Sequence, residues 1–465
     1  VLKRSISRES FARMLDSEIK KSNKKKSFAM DAALGRASME SLNEHVEKSL
    51  ATSDAFDQEA IQQDIRTSFR RDGVNQSKIG THPDFVHLAE TDDQENHYIC
   101  SLFLDIKNST RLTFIYELHE VVAIKNTILK AAAETVRAMD GHVHRFMGDA
   151  LLAFFGGKAQ DKDDSIINAI NCVSVLESLM TGTIIPVLEQ KYFQNPKADY
   201  LGFRIGLDYG SHDDVLWASY GFRGVYEVTP TSFFVDVAAK LQGIAGKNKS
   251  MLGRSIMEEI DLPEDYTKIR TRTQKNKNGE IETIPLPNLP KSYTDREGRV
   301  HTYKVRELDH AKYRDLLPFA TELKESHPNS MVVSCPGISF KCFIADGNTL
   351  VEYPSVSRML NKNLSLKFKV IFDKSVHASQ DFPLELKLTK RNHGTEAQLK
   401  GQRGTFPITK TSVIKDNNYL TSFFRADPQI HTDSTAYRGL HTMEAVVTDA
   451  KGAVIFKDII GVYIR

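Results

Sequence analysis

Cysteine is scarce. There are four in 465 residues, and none stands in a C-x-x-C or similar metal-ligand spacing. That excludes a disulfide-stapled scaffold and a structural zinc site, and it predicts reduced thiols at Cys100, Cys172, Cys335 and Cys342, the first two as small core residues. An excess of either charge is also lacking. Sixty-two Lys and Arg against 60 Asp and Glu leave a formal +2, which gives no reason to expect nucleic acid as a partner. No apolar run approaches the roughly 18 residues of a membrane span, and the N-terminus shows no secretory signal pattern, so the expectation is a cytoplasmic protein without membrane contact. Internal repeats are absent as well. The length exceeds one ordinary core and predicts two or three domains.

What is present falls into four stretches. Residues 1–95 read as an N-terminal helical segment and linker: Phe11, Leu15 and Ile19 recur at helix spacing, Lys20–Lys26 is a basic run, and further helical stretches lie at 38–50 and 56–70. A linker carrying Gly, Asn, Ser and Pro spans 72–83. Residues 261–335 read as an extension bracing the preceding domain, with Asn278-Gly279 in a hairpin turn, three prolines at 285–290 that forbid a helix, and a short helix near 309–325. Residues 336–465 alternate apolar and polar, as in Leu364, Leu366, Phe368 and Val370 and again in Leu384, Leu386 and Leu388, which predicts a β-sandwich without a catalytic constellation.

The stretch 96–260 carries the chemistry. A strand ends at Asp105, and the polar Ile106-Lys-Asn-Ser-Thr110 that follows suits a helix start. A long helix with Leu112, Ile115, Leu118, Val122, Leu129 and Val136 roughly on one face stops at Gly141. His142–Phe155 then reads as a β-hairpin with Gly148-Asp149 at its tip. A helix over 163–180, strands over 203–209 and 224–228, and a helix over 232–245 complete an α+β pattern.

Taken singly, an Asp after a strand or in a Gly-Asp turn is a cap or turn residue in most proteins. The ordered set is more specific. Phe103-Leu-Asp105-Ile-Lys-Asn-Ser-Thr110, Phe146-Met-Gly-Asp149-Ala-Leu-Leu-Ala-Phe154, Arg204-Ile-Gly206-Leu-Asp-Tyr-Gly210 and Val235-Asp236-Val-Ala-Ala-Lys240 follow one another over about 140 residues. This set resembles the class III nucleotidyl cyclases. The resemblance implies a ferredoxin-like βαββαβ domain in which Asp105, Asp149 and the carbonyl of Ile106 hold two divalent ions, Mn²⁺ or Mg²⁺, against a nucleoside triphosphate. It places the triphosphate at the N–H groups of Asn108, Ser109 and Thr110.

Two departures bear on the substrate. Where purine cyclases carry an Asn and an Arg on the last helix, this chain has Asp236 and Lys240, spaced i, i+4; a helix salt bridge is the plain alternative to a catalytic role. Where adenylate cyclases read adenine with a Lys and an Asp, this chain has Arg145 and Thr229. Arginine offers only donors and suits the acceptors of a pyrimidine edge, while threonine does not choose between cytosine and uracil. Together with the trailing β domain, these residues resemble the bacterial pyrimidine cyclases of the Pycsar anti-phage systems. That implies CTP or UTP as substrate, with CTP favoured on overall similarity, a head-to-tail homodimer with two shared sites, and a separate effector activated by the cyclic nucleotide. An adenylate or guanylate cyclase, or a degenerate domain that binds without turnover, are the rivals. A diguanylate cyclase lacks its Gly-Gly-Asp/Glu-Glu-Phe turn here.

Overall fold

The computed structural model describes residues 5–33, 57–191, 198–222, 224–276, 280–373, 382–408, 412–414 and 425–465. The expected helical stretch at 38–50 and the Asn278-Gly279 turn lie outside them. Two compact units are present: Ser5–Gly253 with Asn288–Val305, and Arg254–Pro287 with Arg306–Arg465.

The first unit opens with helices α1 (Arg8–Ala33) and α2 (57–68) and strand β1 (Gln94–Asn96). The βαββαβ core follows: β2 (Ile99–Lys107), α3 (Leu118–Ala138), β3 (His142–Met147), β4 (Ala150–Phe155), α4 (Lys162–Leu179), with α5 (Ile185–Lys191) continuing it, and β5 (Gly202–Gly210). A ribbon of β6 (Leu216–Phe222) and β7 (Val225–Thr231), helix α6 (Phe233–Ile244) and β8 (Lys249–Gly253) complete it. The strands lie in the order β3-β4-β2-β5-β8, antiparallel except for β5 with β8. The first four of these have the ferredoxin-like order. The expected βαββαβ domain is the one that forms.

Register assigns the faces. Residues directly opposite in an antiparallel pair share a face, so Phe103 lies beside Gly206 and Leu152, and Asp105 beside Arg204 and Ala150. That face is the one α6 covers. A Cβ on Gly206 would collide with the Ala238 carbonyl and the Gln242 amide of α6, so the glycine lets helix backbone approach strand backbone. Val237, Ala238 and Leu241 bury the inner stripe of α6, and Asp236 and Lys240 stay at least partly open to solvent on it.

Three expectations need correction. The helix after Asp105 does not start at Thr110: Ser109–Phe114 is a 3-10 turn, and α3 begins at Leu118, after Glu117, whose N–H donates to Glu120 Oε2 at 3.1 Å as in a capping box. Residues 72–83, expected as a linker, run along the unit itself, with Arg66 donating to the carbonyls of Asp72 and Gly73, Asn75 bonded to Gln62, and Gly80 to Val143. The helical run 162–191 is long and apolar enough to cross a membrane by length and composition, contrary to the expectation that no stretch is. Some 72% of its most apolar window is buried inside the fold.

In the second unit two β-sheets pack face to face. One has Thr349–Tyr353, Ile338–Asp346, Ser365–Asp373 and Arg425–Ser434 in that order; the other has Met359–Leu360, Val454–Ile464, Gly439–Thr448, Leu384–Asn392 and Gly404–Pro407. Phe340, Phe368 and Val370 of the first meet Leu386, Met443 and Phe456 of the second in one apolar core, as the alternating pattern predicts. The cysteines are free, with Cys100, Cys172 and Cys342 buried.

Candidate functional site

The two carboxylates of the motif set come together because of one turn. Met147 pairs with Ala150, leaving Gly148 and Asp149 as a two-residue loop. Gly148 takes φ +69° and Asp149 does not enter the positive region, as in a type II′ turn. The Asp149 carbonyl accepts from Ile106 N at 3.1 Å, which fixes the tip against the end of β2, next to Asp105.

Each carboxylate is held by one oxygen. Arg204, opposite Asp105 in the register, puts its Nε 2.8 Å from Asp105 Oδ2, and a terminal guanidinium nitrogen joins the same oxygen. Ser109 donates its hydroxyl to Asp149 Oδ2, and Lys125 of α3 stands 3.9 Å from that atom. The second oxygen of each Asp has no protein partner among the described residues. Two free carboxylate oxygens next to a strand-end carbonyl form a hard donor set, suited to Mg²⁺ or Mn²⁺ rather than to a thiophilic metal. Among the described residues no group of three or more His, Cys, Asp or Glu gathers to cage an ion. Two carboxylates without a cage fit an ion that completes its shell with water and phosphate oxygens.

The other expected residues are placed as follows. Asn108 adopts a left-handed conformation (φ 63°), and its Nδ2 donates to the Tyr200 carbonyl at 2.7 Å; it makes no side-chain cap. Ser109 is buried with its hydroxyl on Asp149, and Thr110 is exposed, its carbonyl accepting from Thr113. Their backbone N–H groups open the 3-10 turn, where the resemblance expects a helix start. Lys240 does not pair with Asp236: its ammonium lies 5.2 Å from the centre of the Tyr293 ring, and neither residue forms an ion pair among the described residues.

Arg145 lies on β3 and Thr229 on β7. Arg145 forms an ion pair with Glu227 at 3.0 Å. Glu227 escapes a reading of the sequence, although it stands two residues before Thr229 on β7 and therefore on the same strand face. His144 Nε2 lies 2.6 Å from the other Glu227 oxygen; burial pushes this imidazole below its usual range, against the pull of Glu227. Two apolar patches stay exposed on the unit. Phe114, Leu118 and Val122 line one, and Phe222, Val225 and Tyr226 line the other.

Comparison with known proteins adds three relatives and a domain. The Adenylyl/Guanylyl and SMODS C-terminal sensor domain matches residues 319–465. A cytidylate cyclase of Escherichia coli is 37% identical over 410 residues, 87% of either chain. A cytidylate cyclase of Staphylococcus aureus is 34% identical over 411 residues, again 87% of either chain. A uridylate cyclase of Burkholderia cepacia is 23% identical over 175 residues, 37% of this chain and 71% of its own.

Proposed function

This chain belongs to the class III nucleotidyl cyclase family of its cytidylate cyclase relatives, and on that premise we propose that it closes CTP to the 3′,5′-cyclic monophosphate. The ribose 3′-oxygen attacks the α-phosphorus in line, the bond from that phosphorus to the bridging oxygen breaks, and pyrophosphate leaves while the hydroxyl proton goes to solvent. The observation that carries the reading is the Asp105–Asp149 pair, each with one oxygen free, at the end of β2. Asp105, Asp149 and the Ile106 carbonyl would hold two Mn²⁺ or Mg²⁺ ions, which when bound supply positive charge to the triphosphate and lower the pKa of the attacking hydroxyl.

The chain's own residues do the rest. Arg204 and Ser109 orient the two carboxylates, each by one oxygen, and leave the other without a protein partner among the described residues. The N–H groups of Asn108, Ser109 and Thr110 face the phosphates. Asp236 accepts from a ribose hydroxyl, and Lys240 sets a point charge beside the α-phosphate as charge builds there. The second reading, a domain that binds without turnover, is disfavoured by the filled metal-ligand positions.

By its family resemblance the site forms between two copies in this reading. Asp105 and Asp149 of one copy meet Arg145, Asp236 and Lys240 of the other, and the exposed Phe114 and Phe222 patches are the surfaces that a second copy covers. The C-terminal sandwich then acts as the sensor that gates a cytoplasmic enzyme during phage infection, and the cyclic product switches on a separate effector. Neither membrane nor nucleic acid is a partner.

Incubation with Mn²⁺ and each of ATP, GTP, CTP and UTP, read by mass spectrometry, tests the reading. The expected product is cyclic CMP; a cyclic purine overturns the base assignment and keeps the site. For Lys240→Ala the expected result is a kcat lowered roughly 10- to 100-fold with KM nearly unchanged, because the contact strengthens as the transition state forms. An unchanged kcat rejects that role.

A further inference from the structure

β3 contains an irregularity that the ferredoxin-like core does not need. Val143 pairs with Ala153 and Arg145 with Leu152, so His144 is an extra, unpaired residue. In a regular strand His144 and Arg145 would point to opposite faces. The bulge turns both to Glu227: His144 Nε2 is 2.6 Å from Oε1, and an Arg145 terminal nitrogen is 3.0 Å from Oε2. His144 is itself anchored, its side chain 1% exposed and its Nδ1 3.1 Å from the Gly80 carbonyl. A plain surface ion pair requires neither a bulge nor a buried imidazole behind it. Here one oxygen of the carboxylate lies against a buried imidazole, and the other is presented beside a guanidinium. Arg145 and Glu227 are both partly open to solvent, at 44% and 35% of their side-chain surface.

We propose that Arg145 and Glu227 act as one reader of the pyrimidine edge, and that Glu227 is the residue that selects CTP over UTP. This rests on the cyclase reading above. Cytosine presents, in order, a donor (the 4-amino group) and two adjacent acceptors (N3 and O2). An ionised carboxylate only accepts, and a guanidinium only donates, through a fork that spans two neighbouring acceptors. Glu227 beside the Arg145 fork is the complement of that order: it accepts from the amino group while the fork donates to N3 and O2. Uracil presents acceptor, donor, acceptor. Against uracil the carboxylate meets O4, oxygen against oxygen, and the fork meets the N3–H. Sliding the base to satisfy Glu227 with N3–H leaves only one acceptor within reach of the fork. Discrimination therefore comes as much from an unmatched charge at the rejected base as from the hydrogen bonds made to the accepted one. His144 is a positioning residue in this scheme, since it touches Glu227 and not the base.

The test is competition between CTP and UTP in Mn²⁺, with wild type, Glu227→Gln and Glu227→Ala, each checked by thermal melting. The glutamine amide turns either way, offering its oxygen to the cytosine amino group or its nitrogen to uracil O4. The expected result is that Glu227→Gln lowers kcat/KM for CTP roughly 10- to 100-fold, the size of one lost charge-assisted hydrogen bond, while UTP holds or gains. Glu227→Ala should lose CTP turnover to a similar extent without the gain in UTP. A CTP-to-UTP ratio unchanged in the glutamine variant overturns the proposal, and so does an equal loss for both bases, which is what a merely structural ion pair would give. A wild-type enzyme that makes no cyclic pyrimidine from either substrate overturns instead the reading on which the proposal rests.

Discussion

Asp105→Asn and Asp149→Asn are each expected to lower cyclic nucleotide formation about a thousandfold or more. The melting temperature should stay within a few degrees of wild type. Asparagine keeps the size of the side chain and a carbonyl oxygen, so Arg204 still finds an acceptor at position 105 and Ser109 at position 149. What disappears is the negative charge, and with it the affinity of the free oxygen for a hard cation. Charge, not shape, is then the variable. Turnover and melting measured on the same preparation separate the two. Turnover within tenfold of wild type in either variant would reject the metal site, and a collapsed melting temperature would show that the pair is structural.

Gly206→Ala should strongly destabilise the first unit. The new Cβ meets main-chain atoms of α6, the Ala238 carbonyl and the Gln242 amide, and these cannot rotate away as a side chain would. Overpacking against backbone costs about 3 kcal/mol or more, which lowers the melting temperature of a unit of this size by roughly 6–12 °C. Gly148→Ala is the contrast. Nothing lies within 4 Å of its Cβ, and only the positive φ of 69° opposes the substitution, a cost of about 1 kcal/mol. If the two variants melt together, α6 is not seated on β5 as described.

Much of this could be read from the chain because it depends on neighbours in sequence. Gly148-Asp149 between alternating apolar residues specifies its own turn, and that turn alone delivers Asp149 to the tip. The apolar stripe of α6 and the sandwich strands follow from periods of 3.6 and 2. Periodicity alone misplaces the start of α3, because Leu112 falls in phase with the helix that follows. The better signal is Glu117 with Glu120, a capping pair three residues apart. What stayed hidden depends on register between distant strands. Arg204 reaches Asp105 across 99 residues, and Glu227 meets Arg145 only because a bulge redirects β3. Lys240 lies over Tyr293, more than fifty residues on, where helix spacing alone suggests a bridge to Asp236.

The route of the chain sets limits on dissecting the molecule. After Gly253 it passes into the second unit, returns for Asn288–Val305, and leaves again at Arg306. The returning segment brings Tyr303, whose hydroxyl donates to the fully buried Asp208 carboxylate at 2.7 Å, and Leu289 and Val305, which join the core under α6. A fragment ending at Gly253 therefore keeps every motif of the cyclase family and still lacks part of its own interior. Modularity at the level of function does not coincide with modularity along the polypeptide. The matched sensor domain begins only at residue 319, so the crossing stretch between Arg254 and Val305 must stay with the cyclase motifs in any fragment meant to keep that interior.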